Sequence, residues 1–152
     1  MAVSLRPYQG DVFAAVTASV VCRRGLTFSV EIARQGGKNE LSAQLELSAL
    51  TLQHRCARNI IKCSPTFVPQ ALVSMTRLKD RLDESGFAGR WTSERGYIIR
   101  LGHARAIFLS AQETSRVVGH TAHLLLEVDE AQDVDREKYS KEYCLQSAPG
   151  AG

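Results

Sequence analysis

The junction Arg34-Gln35-Gly36-Gly37-Lys38-Asn39 constrains this chain more than any other stretch. A β-branched run at 28–33, expected as the first core strand, feeds a glycine pair, then a lysine, then the polar opening of a helical pattern. Paired glycines let backbone N–H groups close around an anion, a lysine reaches outer phosphates, and the following helix points its positive end inward. That is the layout of a phosphate-binding loop. It departs from the standard pattern at two positions: Ile32 stands where the first glycine belongs, and Asn39 where Ser or Thr follows the lysine.

A second stretch gives the loop its meaning. Leu124-Leu125-Leu126-Glu127-Val128-Asp129-Glu130-Ala131-Gln132-Asp133 is an apolar run ending in adjacent carboxylates, about ninety residues after Lys38. Taken singly, one stretch reads as a glycine-rich turn and the other as a solvated strand end. Together, in this order, they are what nucleotide hydrolysis requires: Asp129 helps hold Mg²⁺ and Glu130 polarises the attacking water. Lys38 supplies the cation for the β- and γ-phosphates of ATP. Asn39 offers only a neutral amide oxygen, so magnesium binding falls mainly to Asp129. Glu127 lies on the same strand face as Asp129. A lone buried carboxylate is costly, so Glu127 is expected to meet a basic group or to sit near the site.

Periodicity fills in the remaining elements. Pro7 suits a first helical turn, and a helix is expected through 11–16, followed by a turn at Arg23-Arg24-Gly25. A helix over 39–53 carries Leu41, Leu45, Leu47 and Leu52, and a short buried strand over 59–63 stops at Ser64-Pro65. Residues 69–85 read as a helix with Leu72, Met75, Leu78 and Leu82 on one face, closed by Gly86; Arg77, Lys79 and Arg81 mark its solvated side. Residues 97–101 and 106–110, joined through Gly102-His103, read as a hairpin. A last helix is expected over 135–146 and a flexible tail over 147–152. Alternating strands and helices give an α/β sheet.

Composition narrows the class without deciding it. The 152 residues suffice for one domain with a real core, and 44% hydrophobic with 23% charged residues is ordinary for a globular protein. A net charge of +3 is a weak hint of a polyanionic partner. Cys22, Cys56, Cys63 and Cys144 form no Cys-x-x-Cys pair, so neither a zinc site nor a disulfide framework is indicated, and reduced thiols are expected. No apolar run approaches the roughly 20 residues that span a bilayer. His120 and His123 are read as structural.

On these residues the chain resembles the large terminase subunit of tailed bacteriophages. Arg34-Gln35-Gly36-Gly37-Lys38-Asn39 is similar to that family's variant phosphate loop, Ser64-Pro65-Thr66-Phe67-Val68-Pro69-Gln70 to the segment after its second core strand, and Val118-Gly119-His120-Thr121-Ala122 with Asp129-Glu130-Ala131-Gln132 to its acidic motif. The resemblance runs from about residue 5 to about residue 143. It implies a P-loop NTPase of the RecA-like ASCE type, a three-layer sandwich with a mostly parallel sheet over 1–146. That sheet is expected to be incomplete at its C-terminal side, because the family's strand between the phosphate-loop strand and the acidic strand has no counterpart here.

The same resemblance implies roles for further residues. Gln9 would present a donor and an acceptor to the adenine edge, with Tyr8 packed nearby. Gln35, Gly36, Gly37, Lys38 and Asn39 would cradle the nucleotide, and Arg34 would stabilise charge developing on the γ-phosphate. The 116–119 turn would sense nucleotide. The implied activity is the ATPase of a DNA-packaging motor in the cytoplasm of a bacterial host. Its partners would be double-stranded viral DNA, the portal and the small terminase subunit, in an oligomer and with no membrane. No nuclease domain is matched. Two other readings stand beside it: a fragment of a superfamily 2 helicase or translocase, which shares Arg6-Pro7-Tyr8-Gln9 and an Asp-Glu strand end, and a catalytically inert, prophage-derived remnant that binds only nucleotide or a partner.

Overall fold

The computed structural model describes residues 4–111, 119–134 and 137, so the 116–118 part of the expected sensing turn, the helix over 135–146 apart from Glu137, the tail and Cys144 lie outside the described residues. The chain is α/β, with a five-stranded mixed sheet and helices. Helix α1 (Pro7–Val21) begins on its proline as expected, and α2 (Lys38–Gln53) begins on the loop lysine. Strand β1 (Asn59–Ser64) leads through a turn to α3 (Leu72–Leu82); β2 (Trp91–Glu94), β3 (Ile98–Leu101) and β4 (Ala104–Ser110) follow, then β5 (Leu125–Val128).

Strand order is β2-β3-β4-β1-β5. The β4, β1 and β5 strands run parallel, while β2, β3 and β4 form antiparallel hairpins. The expected hairpin is β3–β4, with Gly102 in its turn at φ +61°, and Gly86 after α3 sits at φ +86°, where glycine is favoured. Among the described residues β5 is one edge of the sheet and β1 is its only partner.

Each strand sends alternate residues to opposite faces. One face carries Ile60, Ile99, Ala106 and Phe108 and packs under Leu50 of α2 and Met75, Leu78 and Leu82 of α3. Helix α1 lies on α2, where Val16 and Val20 approach Leu45, Ala49 and Leu125. The other face gathers Ile61, Cys63, Ile98, Ile107 and Leu109 beneath Tyr97, Ala122 and Val134. Helices therefore cover one face among the described residues, and the expected third layer is not among them. Leu72 and Leu52, expected on buried faces, are 39% and 57% exposed, while Leu50 is fully buried.

One expected element is corrected. Residues 28–33 form no strand, and 21–31 are exposed along their length. Val30 does not pair with β5, whose partner is β1. The alternation of Phe28, Val30 and Ile32 supplies a face that could be buried, but a strand also needs a neighbouring edge to bond its backbone, and these residues pair with no strand among the described residues.

This assignment predicts unequal mutational costs. Phe108→Ala should cost about 3–5 kcal/mol, as for large core truncations. Val30→Ser should stay within about 0.5 kcal/mol, as for surface positions. Urea unfolding of both variants checks the pair, and a Val30 cost near that of Phe108 would restore the strand to the core.

Candidate functional site

The loop before α2 needs its glycines. Gln35 (φ +62°) and Gly37 (φ +81°) both lie in the left-handed region. A Cβ on Gly36 would overlap the Ile32 side chain and come within 2.8 Å of the Ala33 carbonyl; one on Gly37 would strike the Gln9 amide. The turn is closed by the Gly36 N–H donating to the Ala33 carbonyl at 2.8 Å. As first-turn groups, the Lys38 and Asn39 N–H groups have no intrahelical acceptor, and they bond to no described residue. These free donors, at the positive end of a 16-residue helix, are the loop's capacity for an anion.

Tyr8 and Gln9 of α1 hold the loop from behind. The Tyr8 hydroxyl donates to the Gly36 carbonyl at 2.7 Å. The Gln9 amide donates to the Gly36 and Gly37 carbonyls at 3.1 and 3.0 Å, and its oxygen accepts from the Arg6 N–H at 2.8 Å. Gln9 is buried, so in this conformation its amide serves the loop backbone rather than a base edge.

Lys38 meets both strand-end carboxylates. Its ammonium lies 2.8 Å from Asp129 Oδ1 and donates to Glu130 Oε1. The loop and the acidic motif thus converge beyond the carboxyl end of β5, the end of parallel strands where α/β folds bind ligands. Asp129 is fixed by its N–H donating to the Cys63 carbonyl at 2.8 Å. Its Oδ1 also accepts from the Glu130 N–H at 3.1 Å, while Oδ2 bonds to no described residue. Glu130 is held at φ +51° and accepts a bond from the Gln132 amide. Arg34, Gln35 and Asn39 stand on the loop and helix start without a side-chain hydrogen bond to the described residues, Arg34 and Gln35 exposed.

Charge follows the geometry. The hydrogen bond from Lys38, then that from Gln132, holds Glu130 below the usual carboxylate range, and the charges of Lys38 and Arg34 add to this. Burial works against the Lys38 charge, but Asp129 and Glu130 outweigh it and hold the ammonium above its ordinary value.

Behind this site lies a buried charge cluster. Lys62 of β1 donates to Ser42 Oγ at 2.5 Å and sits 3.2 Å from Glu46 and 3.8 Å from Glu127. Ser42 donates to Glu127 and lies 3.2 Å from Glu46 Oε1. Glu127 therefore both meets a basic group and stands two residues from Asp129, as expected. Lys62 and Glu46 were not anticipated. Their signals are a lysine inside the apolar run Ile60-Ile61-Lys62-Cys63, and a glutamate at the spacing of the buried helix positions Ala43, Ala49 and Leu50. Burial pushes Glu46 up to about 8 against the pull of Lys62, and burial raises Glu127 as well.

The remaining expectations lie away from this centre. Arg77 and Arg81 reach back to Glu40 at 3.2 and 3.7 Å, and Lys79 lies over the Trp91 ring at 5.7 Å. His123 Nδ1 accepts from the Asn59 N–H at 3.3 Å, and His120 stands edge-on to Tyr97, so both are placed structurally. Cys22 and Cys56 are free, exposed thiols, and Cys63 is buried. Among the described residues no helix is long and apolar enough to cross a membrane. Comparison of the chain with protein-family models, with curated proteins and with solved structures found no match.

The raised Glu46 gives stability a definite pH sign. Its protonated form is preferred in the fold, so its contribution is complete below its ordinary 4.5 and declines as pH rises through about 8. The melting temperature should therefore fall across that window, and Glu46→Gln should flatten the decline. Equal slopes for the two proteins in parallel melts would contradict the buried carboxyl.

Proposed function

We propose that the chain is a P-loop-type ATPase domain resembling the large terminase subunit, binding ATP with Mg²⁺ between the loop and the end of β5. The observation that carries this reading is Lys38. A loop that tolerates only glycine at its tip delivers a lysine onto an Asp-Glu pair 91 and 92 residues further along the chain. Beside that ion pair, the Lys38 and Asn39 N–H groups bond to no described residue. An incoming triphosphate satisfies those donors and takes the place of Asp129 and Glu130 on Lys38.

Asp129 suits magnesium. Mg²⁺ takes one or two carboxylates plus phosphate oxygens and water rather than a full protein cage, and Asp129 Oδ2 bonds to no described residue, on a residue fixed by its backbone. When bound there, the ion supplies charge neutralisation at the phosphates. Lys38 then binds outer phosphate oxygens, and Arg34, whose charge already reaches Glu130, lies within range of the γ-phosphate charge. Glu130, released from Lys38, recovers basicity and accepts a proton from the attacking water. Tyr8 and Gln9 set the loop's shape, with an adenine contact requiring Gln9 to leave its present bonds. The double-stranded viral DNA, portal and small-subunit partners, and a place in the bacterial cytoplasm, follow from the resemblance alone. The helicase-fragment reading shares the site, and the inert-remnant reading differs from it only in turnover.

Lys38→Ala should remove measurable ATP binding in calorimetry, since it deletes the cation that the loop delivers to the outer phosphates. Glu130→Gln should keep binding and lose about 10²–10⁴-fold in hydrolysis, the usual size of a general-base contribution. Undiminished affinity in Lys38→Ala removes the loop assignment. Absence of turnover in the wild type, with Lys38-dependent binding intact, selects the inert reading.

A further inference from the structure

We propose that Lys62 is a positioning residue that sets the height of the phosphate-loop helix against the acidic strand, an inference that rests on the nucleotide-binding reading above. Lys38, Ser42 and Glu46 follow one another at i, i+4 and i+8 and so line one face of α2. Glu127 of β5 and Asp129, just past its end, face that side. Two rungs cross between them: Lys38 to Asp129 at 2.8 Å, and Ser42 to Glu127 one helical turn further in. Lys62, the register partner of Glu127 on the adjoining strand, bonds into the second rung from below, reaching Ser42 and Glu46 on the helix and Glu127 on the strand.

The cluster is a poor device for stability alone. Buried ion pairs can be replaced by apolar residues of similar volume without loss of stability. Here Glu46 Oε2 and Glu127 Oε1 are buried with no hydrogen-bond partner among the described residues, a cost that an apolar pair would not carry. What the cluster fixes is relative height. Slipping α2 along β5 by one residue, about 1.5 Å, would break the Ser42–Glu127 and Lys62–Ser42 bonds together and would lift Lys38 off Asp129 by the same amount. A buried ammonium with three donors, shared by two elements, holds the cation and the metal-side carboxylate at one separation.

The test uses the full chain and reads ATP affinity by calorimetry with and without Mg²⁺, beside thermal melts. Lys62→Met leaves Glu127 buried beside Glu46 without a cation, so the charge-balanced Lys62→Met/Glu127→Gln is measured with it, and Ser42→Ala serves as the mildest break of the second rung. In the folded double variant and in Ser42→Ala, the gain in affinity that Mg²⁺ confers should drop roughly 10–100-fold, the usual cost of losing a partner that orients a metal ligand. Affinity for ATP without metal, which rests on the loop and Lys38, should hold. A role confined to stability would shift the melt and leave the Mg²⁺ dependence unchanged. That result, with Lys38→Ala still abolishing binding, overturns the positioning role alone. If wild type and Lys38→Ala bind ATP alike, the nucleotide reading fails and the positioning role falls with it. Should the double variant not fold, Ser42→Ala decides by the same criterion.

Discussion

One cation facing two anions organises the charged end of this molecule. Lys38 starts α2, and Asp129 and Glu130 follow β5, so their ion pairs join the two elements where the sheet's parallel strands end. The contact is partly open, with the lysine side chain 41% exposed, and an exposed ion pair adds little to stability. Its importance is as an exchangeable arrangement. The lysine already has anionic partners, the helix-start N–H groups of Lys38 and Asn39 bond to no described residue, and the proposed polyphosphate would satisfy both at once.

Two layers of support keep that arrangement in place. From one side, Tyr8 and Gln9 take the carbonyls of Gly36 and Gly37. From below, the Lys62 cluster joins α2, β1 and β5 through bonds that bury nearly all of its atoms. The apolar core on the same face, from Leu50 to Phe108, holds the helices down but does not set their height along the strands. Nonpolar contacts are non-directional, whereas hydrogen bonds to a fixed hydroxyl and carboxylate are not.

Much of this was legible from local pattern. The helices at α1 and α2, the β3–β4 hairpin and the acidic strand all follow periods that neighbouring residues impose on one another. The convergence of Lys38 with Asp129 and Glu130 was legible because the two stretches make chemical sense only together. What escaped depends on distant partners. Residues 28–33 carry a strand's alternation, but among the described residues no strand pairs with them to complete the ladder. Strand β2 is short, and Thr92 and Ser93 face solvent, so it has no apolar signature; its pairing with β3 makes it a strand. Gln9 carries the same amide whether it reads a base or ties a loop, and only the position of Gly36 decides. Lys62 lies in the stretch expected as a short buried strand, but its partner Glu46 comes from the helix above, which local pattern does not reveal.

The central claim is that phosphate replaces the carboxylates on Lys38, and Glu130 reports this directly. Its carboxyl carbon can be followed by NMR through a pH titration, first without ligand and then with saturating, metal-free ATP. Without ligand, Glu130 should titrate below the ordinary carboxylate value, held there by Lys38 and Gln132. With ATP bound, its pKa should rise, because the lysine's hydrogen bond is lost and phosphate charge arrives nearby. A Glu130 titration that ATP leaves unmoved, under conditions where binding is saturated, would place the nucleotide elsewhere and contradict the account.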